Sequence, residues 1–185
     1  MLFRSVEIYE ETPYRGFFVV LYFSGAEPTR ETAMGIVLCG IATRPVNKAP
    51  MQVSTTGRVT ETGLEGNFFA RLDKIQKSSR QVTILSGEQW HEAMEEINQE
   101  LPWYERRANL CITGHSFTKK DVGSCLLIGR SAMLEITGEL DPCERMDEIY
   151  PGLQKALRSP FRGGIGCRVI YPGMIGVGDG VIRFN

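Results

Sequence analysis

The chain has 185 residues, of which 42% are hydrophobic and 23% charged, enough for one domain with a continuous core and no disulfide staples. Its 21 Lys and Arg residues balance 22 Asp and Glu residues, which excludes a global basic field for binding nucleic acid or acidic membranes. No apolar run approaches the roughly 20 residues that span a bilayer. We therefore expect a cytoplasmic protein with no nucleic-acid or membrane partner.

Short apolar runs separated by Gly and Pro turns follow one another along the chain, a pattern typical of a barrel or sandwich. The predicted strands are residues 17–23, 34–43, 52–60, 81–85, 109–113, 124–128, 132–137, 166–171 and 180–184. Gly129-Arg130, between two of these runs, predicts a tight hairpin turn.

One helix is indicated directly after the predicted strand at residues 81–85. Ser86, with Gln89 three residues later, is a capping-box pattern, and apolar residues then recur at helical spacing until Pro102. These apolar residues are Trp90, Ala93, Met94, Ile97 and Leu101. A second helical region, residues 142–157, contains Pro151-Gly152, so we expect two short helices there.

The five cysteines contain no C-x-x-C doublet, so neither a zinc knuckle nor a thioredoxin-type motif is indicated. Four of them lie in apolar, strand-like runs and are interpreted as small buried hydrophobes: Cys39, Cys111, Cys125 and Cys167. Cys143 differs because it lies in a polar turn.

The sequence also lacks zinc, ATP and NAD motifs. His91 has Glu95 where a second zinc-binding His would stand, and the chain contains no Gly-Lys dipeptide for a phosphate-binding loop. The glycines at residues 163–166 precede a strand instead of opening a helix, so they do not form a dinucleotide fingerprint.

Cys143 follows Asp141-Pro142, which suits the N-cap and first position of a helix and so predicts Cys143 in the first turn. The helix dipole, unpaired backbone N–H groups and Arg145 favour a thiolate there, whereas Asp141 and Glu144 oppose it. A thiolate is a nucleophile and a soft metal ligand, suited to sulfur transfer or to a molybdenum centre. The alternative is an ordinary turn cysteine.

Three further positions are noted, and the first of them indicates anion binding. In Arg162-Gly163-Gly164, the arginine offers a forked phosphate donor and the glycines allow close backbone approach. Arg80 and Asn109 each open a predicted strand. The alternatives are a plain loop for the first segment and polar strand ends for the other two residues.

Short fragments recur in a fixed order along most of the chain. They are Gly63-Leu64-Glu65-Gly66, Arg80-Gln81-Val82-Thr83, Asn109-Leu110, Thr113-Gly114, Val122-Gly123, Leu134-Glu135-Ile136-Thr137, Pro142-Cys143, Arg162-Gly163-Gly164, Pro172-Gly173 and Val177-Gly178-Asp179. In this order they resemble the MOSC domain, named for the molybdenum-cofactor sulfurase C-terminal region, in its standalone bacterial form.

This resemblance implies a mainly β fold, a closed antiparallel β-barrel of the MOSC or pyruvate-kinase-barrel type with a few short helices. It assigns residues 34–185 to the barrel domain. Residues 1–33 are expected to form an N-terminal extension packed on the barrel.

The resemblance also implies a function with molybdenum cofactor (molybdopterin) or a similar phosphorylated small molecule. Family members bind the cofactor, carry sulfur or reduce N-hydroxylated compounds, here with electrons from a separate redox protein. Cys143 is then the catalytic thiol and the molybdenum ligand. The implied cofactor-binding residues are Asn67, Arg80, Asn109, Arg162, Gly163 and Gly164.

Two segments depart from the family pattern. Gly66 is followed by Asn67-Phe68-Phe69, where the family commonly has an acidic residue, a basic residue and His. Arg107-Ala108 stands where the standalone form has Gly-Glu. These departures leave open a second function, a non-catalytic ligand- or partner-binding barrel that has kept the fold and lost the cofactor chemistry.

Overall fold

Strands dominate the computed structural model, which describes residues 35–68 and 79–184. In chain order the strands are β1 (Ile36–Thr43), β2 (Gln52–Ser54), β3 (Thr56–Thr60), β4 (Gly63–Leu64), β5 (Val82–Ser86), β6 (Leu110–Thr113), β7 (Cys125–Ile128), β8 (Ala132–Glu139), β9 (Ile165–Tyr171), β10 (Gly173–Gly176) and β11 (Gly180–Phe184). The helices of the described residues are α1 (Gly87–Glu96), α2 (Arg145–Ile149) and α3 (Leu153–Ala156), with 3-10 turns at Trp103–Arg106 and Lys119–Asp121.

These elements belong to one compact unit, Gly35–Asn185. The predicted strand at residues 17–23 and the expected extension at residues 1–33 lie outside the described residues. None of the helices in the described ranges combines the length and apolar character needed to cross a membrane.

Seven of the described strands close into a barrel. Their order is β11-β7-β8-β9-β5-β6-β1, and the circle closes because β1 also pairs with β11. These pairs are antiparallel except β5 and β6, which run parallel with Ile84 opposite Leu110. A separate three-stranded sheet contains β10, β3 and β4. The prediction of a mainly β fold with a closed, largely antiparallel barrel is confirmed.

Alternation along the strands produces the barrel interior. In β8 the side chains of Ala132, Leu134 and Ile136 are buried inside, while the residues between them are partly exposed, as the period of two requires. β5 is buried along its whole length because Ile84 enters the barrel core and Leu85 enters a second core, under the helices.

Helix α1 begins where the sequence predicts and ends earlier. The Gln89 backbone N–H donates to Ser86 Oγ (3.3 Å), which caps the first turn. The helix stops at Glu96, because Asn98 has a left-handed backbone (φ 52°). Leu101 nevertheless packs against the second core. The two predicted short helices within residues 142–157 are also confirmed, as α2 and α3.

Several strand predictions need correction. The predicted strand at residues 52–60 is divided at Thr55, whose carbonyl accepts a hydrogen bond from the Val177 backbone (2.8 Å). This break lets β3 pair with β10 while β2 pairs with β1. β4 and β10 lie outside the predicted strands, yet both pair with β3. The hairpin at Gly129-Arg130 is confirmed, with Ile128 opposite Ala132.

The interpretation of Cys39 as a buried hydrophobe is wrong, because this residue is exposed. A register shift between Leu38 and Gly40 places Cys39 in a β-bulge of β1, which interrupts the alternation that would have turned it inward. Cys111 and Cys167 are buried as expected, and Cys125 is partly buried.

Candidate functional site

The parallel pairing of β5 and β6 brings together the residues that precede each strand. Arg80 lies just before β5, and Arg106 ends the 3-10 turn that leads into β6. The pKa of Arg106 is lowered to about 10, first by burial and then by the positive charge of Arg80. Burial also lowers the pKa of Arg80. Two guanidinium groups therefore lie within electrostatic range of each other.

Arg106 holds the backbone that leads to Cys143. Its side chain is buried, with 7% of the residue exposed, and its Nη2 donates to the carbonyls of Leu140 (3.2 Å) and Asp141 (3.5 Å). Its Nε has no hydrogen-bond partner among the residues that the structure describes. A buried cation with an unused donor thus lies beside the segment that carries the thiol.

The thiol of Cys143 is exposed and lies within electrostatic range of both guanidinium groups. A negative charge on this sulfur raises the pKa values of Arg80 and Arg106, against the larger opposing effect of burial. The structure therefore brings Cys143 together with Arg80, as the sequence predicts, and adds Arg106.

The predicted helix start at Asp141 is wrong. Helix α2 begins at Arg145, with Glu144 at the N-cap position and no side-chain capping bond. The reason is that the preceding backbone is held elsewhere: Arg106 binds two carbonyls there, and Gln154 Nε2 donates to the Pro142 carbonyl (3.1 Å). Cys143 consequently lies before the helix and not in its first turn.

Further arginines surround this pair. Arg44 follows β1, and its pKa is lowered first by burial and then by the positive charges of Arg107, Arg145 and Arg80. Arg107 is fixed by its Nη2, which donates to the Lys48 and Ala49 carbonyls (3.3 and 3.1 Å). We call these five residues the arginine cluster: Arg44, Arg80, Arg106, Arg107 and Arg145.

Asn67 contacts the arginine cluster through Arg44. The Arg44 backbone N–H donates to Asn67 Oδ1 (3.2 Å), and the Phe68 N–H donates to the Arg44 carbonyl (2.7 Å). Phe69 lies outside the described residues. The segment that departs from the family pattern is therefore attached to the backbone of one cluster arginine.

Asn109 is buried, and its side chain joins three strands. Its Oδ1 accepts hydrogen bonds from the backbone N–H and the hydroxyl of Thr83 (both 3.1 Å), and its Nδ2 donates to the Ala42 carbonyl (3.4 Å). These bonds stabilise the contact of β1, β5 and β6. A direct role of Asn109 in ligand binding stays a prediction.

The guanidinium of Arg162 binds helix α1. Its Nε donates to Glu92 (3.2 Å), and its Nη1 donates to Glu96 (2.7 Å) and to the Ala156 carbonyl (3.1 Å). Its assignment as a phosphate ligand stays a prediction, and it requires these ion pairs to open.

Gly163 and Gly164 pack against the segment that leads to the thiol. A Cβ at position 163 would overlap the Leu140 carbonyl and lie 3.3 Å from Arg106 Nη2. Gly164 has φ +87°, and its carbonyl accepts a hydrogen bond from the Leu140 N–H (2.9 Å). The absence of side chains here thus allows two loops to touch. Anion binding by these glycines stays a prediction.

Arg44 and Arg106 were missed by the sequence reasoning. Arg106 precedes predicted strand 109–113 much as Arg80 precedes the strand at 81–85. The helix between these strands is a signal for parallel pairing, which places both strand starts at one edge. That signal could have identified Arg106, whereas the burial of its side chain has no local sequence signature.

The arrangement combines several guanidinium groups, which attract anions, with one exposed cysteine. Within residues 35–68 and 79–184, no group of three or more His, Cys, Asp or Glu side chains could hold a metal ion. A metal at this site would therefore depend on ligands that it brings with it, plus the sulfur of Cys143.

The sequence model of the MOSC domain matches residues 66–182, which is more than half of the chain. The chain belongs to the MOSC family. No curated protein matches this MOSC protein.

Solved structures share its fold. The YuaD protein from Bacillus subtilis is 20% identical, with 79% of this chain and 94% of that chain covered and a TM-score of 0.66. YiiM from Geobacillus stearothermophilus is 16% identical, with 81% and 75% covered and a TM-score of 0.61. YiiM from Escherichia coli is 17% identical, with 80% and 70% covered and a TM-score of 0.58. At these identities the likeness concerns the fold alone.

Proposed function

We propose that the arginine cluster binds the phosphate of molybdenum cofactor, or of a similar phosphorylated molecule, and that Cys143 is its sulfur carrier or molybdenum ligand. The observation that carries the proposal is an exposed thiol within electrostatic range of two arginines. One of these arginines is buried and has an Nε without a partner among the described residues.

The donor set fits such a group. Guanidinium ions bind phosphate oxygens through paired N–H donors, and a thiolate is a soft ligand of the kind that molybdenum accepts. When bound, the cofactor would supply two-electron redox chemistry. The residues of this chain would bind the phosphate, compensate its charge and hold the sulfur in place through the bonds from Arg106 to the 140–141 backbone.

The proposed reaction class is the reduction of N-hydroxylated compounds, or sulfur transfer through Cys143. The sequence has no flavin or iron–sulfur signature, so a reductase would take its electrons from a separate redox protein. All five cysteines are free thiols, as is usual in the reducing cytoplasm, where we place this function.

The test is metal and pterin analysis of the chain expressed with active cofactor synthesis. Wild type is compared with Cys143→Ser and with Cys125→Ser, a control thiol on β7 that is partly buried. We expect wild type and the control to hold pterin and molybdenum. Cys143→Ser should retain pterin, because the arginines remain. With a reduced viologen as electron donor, its rate of reduction of an N-hydroxylated base should fall at least tenfold.

Protein without pterin in all three forms would contradict the proposal. Pterin binding with no effect of Cys143→Ser on metal content, sulfur loading or reduction would instead support the second candidate, a non-catalytic binding barrel. The observation that favours this candidate is the attachment of the divergent segment Asn67-Phe68 to Arg44.

A further inference from the structure

A second pair of sulfur atoms lies apart from the arginine cluster, between strands β1 and β6. In the bulge of β1, Cys39 and Gly40 together stand opposite Cys111 of β6, because a bulge places two residues of one strand against one residue of the other. Cys39 and Cys111 are both free, and they are close enough for each thiol to shift the pKa of the other.

The two thiols differ in accessibility. Cys39 is exposed, while 2% of Cys111 is exposed. Both line a groove of about 960 Å³ beside helix α1, together with Trp90 and Trp103. A small reagent can therefore reach Cys39 first, with Cys111 directly behind it.

Electrostatics support the same order of reaction. The hydrogen bond from Cys111, together with a weaker backbone hydrogen bond, lowers the pKa of Cys39 against the opposing effects of burial and of Glu88. The same hydrogen bond, together with burial, raises the pKa of Cys111. The thiolate is the nucleophilic form, so Cys39 is the more reactive sulfur.

We propose that Cys39 and Cys111 form a reversible disulfide when a peroxide oxidises the protein. Cys39 thiolate attacks the peroxide, its sulfur takes up one oxygen to give a sulfenic acid, and the other oxygen leaves as water after protonation. The Cys111 sulfur then attacks the sulfenic sulfur, an S–S bond forms, and a second water leaves. Two thiols and one hydrogen peroxide thus give one disulfide and two waters, and a small dithiol reverses the change.

Gly40 is the residue directly opposite Cys111, and Cys39 is the extra residue of the bulge beside it. A disulfide needs the two Cβ atoms to lie about 3.5–4.5 Å apart, so bond formation requires the bulge to adjust. A bulge is a local irregularity of the ladder, where a strand can adjust. Trp103 packs on Gly40, at which a Cβ would overlap the indole ring. Bond formation would therefore change the surroundings of an indole.

The test treats the full chain with stoichiometric hydrogen peroxide, alkylates the remaining thiols and maps the peptides by mass spectrometry. We expect a Cys39–Cys111 crosslink in wild type and in Cys125→Ser, removed by dithiothreitol and accompanied by a change in tryptophan fluorescence. The crosslink and the fluorescence change should be lost in Cys39→Ser, a substitution at an exposed position that leaves the core packing intact.

In Cys111→Ser, which lacks the resolving thiol, dimedone should trap Cys39 as its sulfenic acid. Wild type in which Cys39 becomes sulfinic acid while Cys111 stays alkylatable after unfolding would overturn the proposal. So would crosslinks that form only between molecules, seen on non-reducing gels. Because the assay uses no cofactor, its outcome is independent of the function proposed for Cys143.

Discussion

Arg106 carries its positive charge in a buried position, with 7% of the residue exposed. A guanidinium buried to this extent is costly unless it is compensated. Two carbonyls and the nearby Asp141 charge compensate it in part, while Arg80 opposes it. A bound anion would complete the compensation, so ligand binding and folding stability should be linked through this residue.

We predict that inorganic phosphate raises the melting temperature of the wild type at constant ionic strength. At ten times its dissociation constant, phosphate would add about 1.4 kcal/mol, or about 3–5 °C for a protein of this size. Arg106→Gln should lose most of this shift, because the buried charge is removed. Differential scanning calorimetry with potassium chloride as the ionic-strength control measures both values.

The matched control is Arg168→Gln. Arg168 is half-exposed on β9 and paired with Glu135, outside the arginine cluster, so it should keep the full phosphate shift. An equal shift in Arg106→Gln and wild type would show that phosphate binds elsewhere.

At the scale of elements, the loop that contains Arg162 is attached to helix α1 by ion pairs with two glutamates that are each about half-exposed. Solvent screens such pairs, so each contributes about 1 kcal/mol or less to the free energy of unfolding. The ion pairs therefore add little to the stability of helix α1, which is held mainly by the packing of its buried residues Trp90, Ala93 and Met94.

We predict that Arg162→Gln lowers the free energy of unfolding by about 1 kcal/mol and leaves the phosphate-dependent shift in melting temperature intact. Urea denaturation measures the first quantity, with an unchanged m-value expected. If the phosphate shift disappears while the fold remains, Arg162 is a ligand, as its Arg-Gly-Gly motif indicates from sequence.

Elements with a strong local signal were predictable, and contacts between loops were not. The cap at Ser86 and the strand periods depend on neighbouring residues, so α1 and most barrel strands were located correctly. The start of α2 depends on Arg106, which is distant in sequence and binds the 140–141 carbonyls. Likewise, the bulge that exposes Cys39 depends on how β1 pairs with β6. Sequence reasoning proposed Cys143 and Arg80 as site residues and overlooked Arg106, whose burial has no local sequence signature.

At the scale of the whole molecule, the described domain has two cores that share strand β5. The barrel core depends on the pairing of β1 with β11. The second core is formed where the helices pack on the outside of the barrel. Damage to the barrel core should therefore affect the entire unit.

We predict that Leu134→Ala lowers the free energy of unfolding by about 2–5 kcal/mol, since its side chain is fully buried in the barrel. Ile182→Ala on β11, where 46% of the residue is exposed, should cost less than about 1 kcal/mol. Chemical denaturation of the two variants compares them directly. Equal losses would mean that the barrel interior is not the main source of stability.

The parallel pairing of β5 with β6 also affects the order in which contacts form during folding. Such a pair cannot be joined by a tight turn and must wait for its connecting segment, here the stretch with α1 and the 3-10 turn. Contacts of this sequence separation form slowly, because loop closure precedes the gain in stability. Arg80 and Arg106 become neighbours only after that crossover has closed, so a nascent or partly folded chain has no cationic site to offer.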